Sequence, residues 1–261
     1  MDAFEAVLLG LVQGLTEFLP VSSSGHLVIG KTLLGGIGDG ILFEVAVHVG
    51  TLLAILAYYR GRLVELAVGL VRRDADALHY AGKIALATLP AVAVGLAFRS
   101  AIESLFASPW VPGIALLATG GILLTTRRSV ATARGPEPSW PQAFWIGCAQ
   151  AFAIVPGISR SGTTVAAAMA LGVAPLAATE FSFLMAIVAI AGAAVLALPD
   201  AAAASPEVVR ACLLGGAVAG VSGLGALWLF VRLLRSRRFH HFAYYAFALG
   251  LAFLTWLALA R

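Results

Sequence analysis

Six stretches of this sequence, at about residues 41–59, 80–98, 110–126, 176–198, 208–231 and 240–260, are apolar over nearly the length a helix needs to cross a bilayer. That length is about 20 residues, because a helix rises ~1.5 Å per residue against a hydrocarbon core ~30 Å thick. Composition agrees. Of the 261 residues 61% are apolar and 11% charged, where a soluble domain carries about 25% charged residues. The pattern predicts an all-α integral membrane protein whose spans pack into one membrane domain covering 1–261. The net charge of +4 is small and is dispersed over short loops, so no basic face for nucleic acid is present. Cys148 and Cys212 stand in apolar stretches without metal-ligand spacing and are expected to be inert thiols. Asp2 and Glu5 take the place of a basic leader, so the first apolar stretch is expected to be retained rather than cleaved as a signal peptide.

Two further apolar regions do not read as simple spans. Residues 3–34 are interrupted by Pro20-Val21-Ser22-Ser23-Ser24-Gly25, and residues 140–172 by Pro156-Gly157-Ile158-Ser159-Arg160-Ser161-Gly162. Residues 26–34 alone are too short to cross. Irregular backbone at membrane depth is tolerated only where it is buried in protein or faces a wet cavity. Both regions therefore predict re-entrant helical hairpins whose tips meet inside.

The two regions also resemble each other. At an offset of 137 positions Ala6, Gly10, Gln13, Ser22, Ser24, Gly25 and Val28 fall on Ala143, Gly147, Gln150, Ser159, Ser161, Gly162 and Val165. Glu44 meets Glu180 at an offset of 136. An internal duplication is expected, with repeat 1 over about 1–126 and repeat 2 over about 140–261. If the hairpins enter and leave on one side and the six stretches cross, one side holds Arg60, Arg62, Arg72, Arg73, Lys83, Arg127, Arg128, Arg134, Arg232, Arg235, Arg237 and Arg238. The other holds Lys31, Arg99, Arg210 and Arg261. Cytoplasmic loops carry the excess of Lys and Arg. The first hairpin should then open away from the cytoplasm and the second toward it, and the odd number of spans between them makes the halves an inverted-topology repeat. Transporters share that architecture.

The chemistry gathers at the breaks. Gln13 and Glu17 share a helix face, and Pro20 ends that helix. Ser22, Ser23, Ser24 and Gly25 begin another, with His26 in its first turn. The second break repeats the arrangement with Ser159, Arg160, Ser161 and Gly162, followed by Thr163 and Thr164. Serines at a helix start cap it or cradle an anion, because the first N–H groups are free and the dipole is positive there. An arginine fork matches phosphate oxygens. Taken singly, each feature has a structural explanation: a cap, a core histidine, a Glu17–Arg160 pair. Three charged or titratable groups at membrane depth, each beside a break, mark a functional pocket instead. Glu44, Glu180, His48, Ser182 and Thr51 sit early in spans, where they brace the hairpins or touch substrate. Arg72, Arg73, Arg235, Arg237 and Arg238 suit headgroup contacts, Gly215, Gly216 and Gly220 close helix packing, and Trp110, Trp140 and Trp145 an interfacial belt.

At these residues the sequence resembles a known family. Gln13-Gly14-Leu15-Thr16-Glu17-Phe18-Leu19-Pro20-Val21-Ser22-Ser23-Ser24-Gly25-His26 and Pro156-Gly157-Ile158-Ser159-Arg160-Ser161-Gly162-Thr163-Thr164 resemble the two signatures of the undecaprenyl-diphosphate phosphatases, also called bacitracin-resistance proteins. The likeness runs from Asp2 to the last span. The family's first motif reads Glu or Gln, three residues, then Glu. Gln13 lacks the charge that many members carry there, which weakens a metal-ligand role at position 13 and leaves Glu17 intact.

The resemblance implies a bacterial inner-membrane hydrolase with its site toward the periplasm. It would convert undecaprenyl diphosphate to the monophosphate carrier of peptidoglycan synthesis, using a divalent cation (Mg2+ or Ca2+) held partly by Glu17 and Gln13. Membrane lipids are the other expected partners, and a homodimer is left open. On this reading Glu17, Ser22, Ser23, His26 and Arg160 are catalytic. Ser24, Gly25, Ser159, Arg160, Ser161, Gly162 and Thr164 bind phosphate. Either a serine attacks phosphorus or His26 activates a water. The competing reading is a polyprenyl-phosphate flippase or another small-anion transporter. The two differ in one observation, phosphate release in detergent, where no gradient exists.

Overall fold

The computed structural model describes residues 1–35, 40–234 and 238–260; Arg235, Arg237 and Arg261, three members of the loop count above, lie outside the described residues. Among the described residues six helices are long and apolar enough to cross a membrane. They are α3 (Gly40–Tyr58), α5 (Ala75–Ala97), α7 (Trp110–Thr132), α10 (Pro175–Leu196), α12 (Pro206–Leu234) and α13 (Phe242–Leu259), the last preceded by a 3-10 turn at Phe239–His241. Their outer faces stay apolar: Leu213 and Val221 of α12 are 69% and 79% exposed. An apolar surface of this kind is suited to lipid.

The broken regions form helix pairs, α1 (Ala3–Glu17) with α2 (Ser23–Leu33), and α8 (Trp140–Phe152) with α9 (Arg160–Ala170). α2 and α9 have 11 residues each, so each is about 16 Å long, half the hydrocarbon core. Both pairs begin with a capping box, Asp2 with Glu5 and Ser139 with Gln142. These caps are themselves 137 positions apart, as are the starts of α2 and α9. The first half runs hairpin, span, short helix, span, a second short helix α6 (Arg99–Ala107) and span, and the second runs hairpin, α10, α11 (Leu198–Ala202), α12 and α13.

The hairpins are exchanged between the halves. α1 packs on α12, and α8 packs on α5. Backbone meets backbone at both crossings: a Cβ added at Gly10 would lie 2.4 Å from the Gly215 carbonyl oxygen, and one at Gly147 2.4 Å from that of Ala87. Small residues permit such approach where lipid offers no hydrophobic drive for helix association. Phe18, just past α1, sets its ring edge-on to Phe183 of α10 at 5.5 Å, and Phe183 meets Phe230 of α12 at 5.9 Å. This aromatic chain anchors the first tip to the second half.

Two expectations change. Residues 60–79 are not a loop. They hold α4 (Arg60–Val71), which buries no residue, and the start of α5, capped at Asp74. With Arg60, Arg62 and Glu65 polar and Val64, Val68 and Val71 exposed, α4 suits the interface, lying along it rather than through it. Lys83, counted with the basic side, is inside α5, 7% exposed, and bonded to Glu137 at 2.6 Å. Glu44 does brace a hairpin, through Lys31 of α2 at 2.7 Å, whereas Glu180 turns to Arg62 of α4 at 3.0 Å. Cys148 and Cys212 are unbridged and only partly buried.

Two outcomes follow for the folded protein in detergent. Gly10→Leu and Gly147→Leu should each destabilise by about 2 kcal/mol or more through overpacking, seen as loss of the monodisperse peak on heating. Gly121→Leu, with nothing within 4 Å of its Cβ position, should leave it unchanged. Glu137→Ala should cost roughly 1–3 kcal/mol, because it strands the buried Lys83 ammonium, with the loss moderated by the half exposure of Glu137. Lys83→Met should cost less, since it removes the charge itself. Thermal unfolding ranks the pair.

Candidate active site

The two tips meet. Ser22, between Pro20 and the first turn of α2, holds a left-handed backbone at φ 68°, ψ 94°, a conformation costing on the order of 1 kcal/mol or more outside glycine. The surrounding contacts hold it there. Ser22 Oγ accepts the N–H of Gly25 at 3.3 Å and the N–H of Gly157, from the other tip, at 3.1 Å, and its own hydrogen reaches the Ile158 carbonyl at 3.4 Å or Ser24 Oγ at 3.3 Å. Gly157 sits at φ 101°, and a Cβ there would strike Pro112 and Ala115 of α7. Thr119 of α7 fixes the second tip, donating to the Gly157 carbonyl at 2.7 Å and accepting the Ser159 N–H at 3.0 Å. Ser161 Oγ closes the junction by donating to the Leu19 carbonyl at 3.2 Å.

Glu17 is the hub. Only 5% exposed, it ends α1 beside both helix starts. Ser23 Oγ donates to its Oε2 at 2.5 Å, Gln13 Nε2 donates to the same oxygen at 2.9 Å, and Arg160 Nη2 donates to Oε1 across the tips. His48 of α3 brings Nε2 to 3.5 Å from Oε2, held by an Nδ1 bond to the Glu44 carbonyl at 2.7 Å. Such a carboxylate is tolerable at membrane depth because cation and donors surround it. A serine O–H aimed at a carboxylate is also the arrangement in which a hydroxyl can be activated by a neighbouring base.

The other predicted residues fall into two groups. Ser159 Oγ caps α9 by accepting the Gly162 N–H at 3.0 Å and lies 3.3 Å from Ser161 Oγ. Among the described residues Arg160 Nη1 and Gln13 Oε1 are buried with no protein partner, as are both side-chain polar atoms of Gln150, Thr163 Oγ1 and His240 Nδ1. Buried polar atoms are seldom left unpaired, and of these residues Arg160 and Gln13 are the two that bond Glu17. Thr164 and His26 bond groups other than Glu17. Thr164 Oγ1 bonds the Arg160 carbonyl at 2.8 Å and Ser182 Oγ at 2.6 Å. His26 bonds the Ser22 carbonyl through Nδ1 at 2.7 Å and the Tyr245 hydroxyl through Nε2 at 2.8 Å. Gly25 packs on Gly157, where a Cβ would come to 2.9 Å from its Cα. His48 and Ser182, singled out in the sequence, thus join the site from α3 and α10, and Thr119 and Tyr245, which are not, join it from α7 and α13. Their only mark in the sequence is a polar atom inside an apolar span.

Among the described residues no three His, Cys, Asp or Glu side chains converge as a cage for an ion. One carboxylate, Glu17, and one free amide oxygen, Gln13 Oε1, are present. That donor set fits a hard cation of the Mg2+ or Ca2+ type, which is commonly held by one or two carboxylates while phosphate oxygens and water complete its shell.

Comparison with known proteins gives one consistent result. The model of the family described as "Bacitracin resistance protein BacA" matches residues 6–252. An undecaprenyl-diphosphatase of Desulfosudis oleivorans is 40% identical over 265 residues, covering 96% of this chain and 97% of its own. One of Alcanivorax borkumensis is 40% identical over 268 residues, covering 99% and 100%. One of Aliivibrio salmonicida is 38% identical over 272 residues, covering 99% and 100%. With both signature breaks joined tip to tip, and a match that spans nearly every helix, the chain belongs to the bacitracin resistance protein BacA family.

Proposed function

We propose that this protein is a membrane phosphatase that hydrolyses undecaprenyl diphosphate to undecaprenyl phosphate and inorganic phosphate. It thereby returns the lipid carrier to peptidoglycan synthesis and confers bacitracin resistance. The observation that carries the reading is the convergence at Glu17: a serine hydroxyl from the start of α2 and an arginine from the start of α9, on the opposite tip, meet one buried carboxylate. The names of its relatives point to the same substrate. The excess of Arg and Lys at the α3–α5, α7–α8 and α12–α13 connections supports a multi-pass protein of the bacterial inner membrane with the first hairpin open to the periplasm.

Each residue has a task in this reaction. Arg160 Nη1 and the N–H groups at the starts of α2 and α9 bind the diphosphate oxygens. Glu17 accepts the Ser23 proton as Ser23 Oγ attacks the terminal phosphorus. The bond to the bridging oxygen breaks, and the lipid monophosphate leaves as an anion. Water then hydrolyses the phosphoserine, and Glu17 returns its proton to the serine oxygen. Ser22 is the poorer nucleophile, because its oxygen already accepts two backbone N–H groups across the tips. Glu17 and Gln13 would hold a divalent cation, which supplies charge neutralisation at the bridging oxygen. Ser24, Ser159 and Ser161 line the pocket with hydroxyls, and Thr164 orients the Arg160 backbone.

Phosphate release by purified protein in detergent tests the reading. Glu17→Ala and Arg160→Ala should each lower kcat by about 10²-fold or more while the protein stays folded. Near-wild-type turnover in both would overturn the site assignment. Rapid quenching with terminally labelled substrate should trap phosphate on Ser23 and leave none in Ser23→Ala. Trapped label on Ser22, or a fully active Ser23→Ala, would discard the serine route drawn here.

A further inference from the structure

We propose that Tyr245 is a further catalytic residue for this reaction: it fixes the tautomer of His26 and is the hydroxyl through which a proton reaches His26 Nε2. The inference rests on the phosphatase reading above. Its ground is that both nitrogens of His26 are occupied. Nδ1 lies 2.7 Å from the Ser22 carbonyl oxygen, which can only accept, so Nδ1 carries the hydrogen. In the neutral ring Nε2 is then the lone pair, and the Tyr245 hydroxyl at 2.8 Å is its donor. The two rings lie parallel with centroids 5.7 Å apart, so the hydroxyl is held in register with the nitrogen.

The carbonyl that His26 grips belongs to Ser22, the residue that stitches the tips together. Tyr245 therefore acts on the pocket from α13, 219 positions away in the sequence. His26 is half-buried, and Tyr245 is 47% exposed.

The proton accounting is simple. In the hydrolytic half-reaction a water O–H bond breaks and its hydrogen goes to the Tyr245 oxygen as the hydrogen of Tyr245 passes to Nε2. The hydroxide forms the new bond to phosphorus, the phosphorus–Ser23 bond breaks, and Ser23 takes its hydrogen from Glu17. The imidazolium, now bonded through N–H to Ser22 and to the tyrosine oxygen, later returns its proton to solvent by the same hydroxyl. A phenol can serve both states because it donates to neutral imidazole and accepts from imidazolium.

The test compares wild type, Tyr245→Phe, His26→Gln and the double variant as folded, purified proteins with undecaprenyl diphosphate. Tyr245→Phe keeps the ring and loses only the hydroxyl. It should lower kcat about 10-fold or more with KM within about twofold, and rapid quenching should show phosphoserine accumulating. The double variant should be no slower than His26→Gln alone, as expected for two groups acting in series. Wild-type kcat in Tyr245→Phe beside a slow His26→Gln overturns the inference and leaves the phosphatase reading standing, as do losses that multiply in the double variant. Wild-type protein that releases no phosphate removes that reading, and the inference with it.

Discussion

The contact on which the rest depends is the pair between Glu17 and Arg160. It joins the end of α1 to the start of α9, two ends that neither hairpin could bury alone. A lone carboxylate or guanidinium at membrane depth costs several kcal/mol. Together, with Ser23 and Gln13 donating to the same carboxylate, they become affordable and chemically useful. The pair also explains why each hairpin breaks where it does. Pro20 and Pro156-Gly157 release the backbone just before the residues that must turn inward.

What holds that pair in place is largely backbone. Gly10 against Gly215, Gly147 against Ala87 and Gly25 against Gly157 let helices touch without intervening side chains. The Ser22 hydroxyl and Thr119 then fix the tips by bonding main-chain groups rather than one another. Such a frame leaves little slack, which suits a pocket where a hydroxyl, a carboxylate and a guanidinium must stay aligned at a few ångströms.

Much of this was legible in the sequence, for a physical reason. Proline, glycine and serine clusters are improbable inside an apolar helix, so Pro20–His26 and Pro156–Thr164 announce themselves, and the 137-position offset pairs them. The six spans were legible because bilayer thickness sets a length. The rest was hidden by the same physics. His48 could be named as a polar residue early in a span but not assigned a partner, Tyr245 sits in a span where one polar atom per turn is unremarkable, and only the packing of α3 and α13 brings them to Glu17 and His26. Lys83 counts with the basic side because it stands near the start of the stretch at 80–98, and nothing local reveals that α5 starts at Ala75 or that Glu137 waits beside it. Thr164 carried the right spacing for the pocket, yet its hydroxyl is spent on Ser182 and its own helix.

The exchange of hairpins between halves has a consequence for biosynthesis. α1 leaves the ribosome first, but the surface that receives it belongs to α12, about two hundred residues later. α8 has its acceptor, α5, already inserted. The chain is therefore made with one hairpin that docks at once and one that must wait, its Glu17 without a cation until α9 and α12 arrive. Non-local closure of this kind is slow. The pocket is complete only when nearly the whole chain is in the bilayer, so a truncated product would carry the signature residues of the first half without their chemistry.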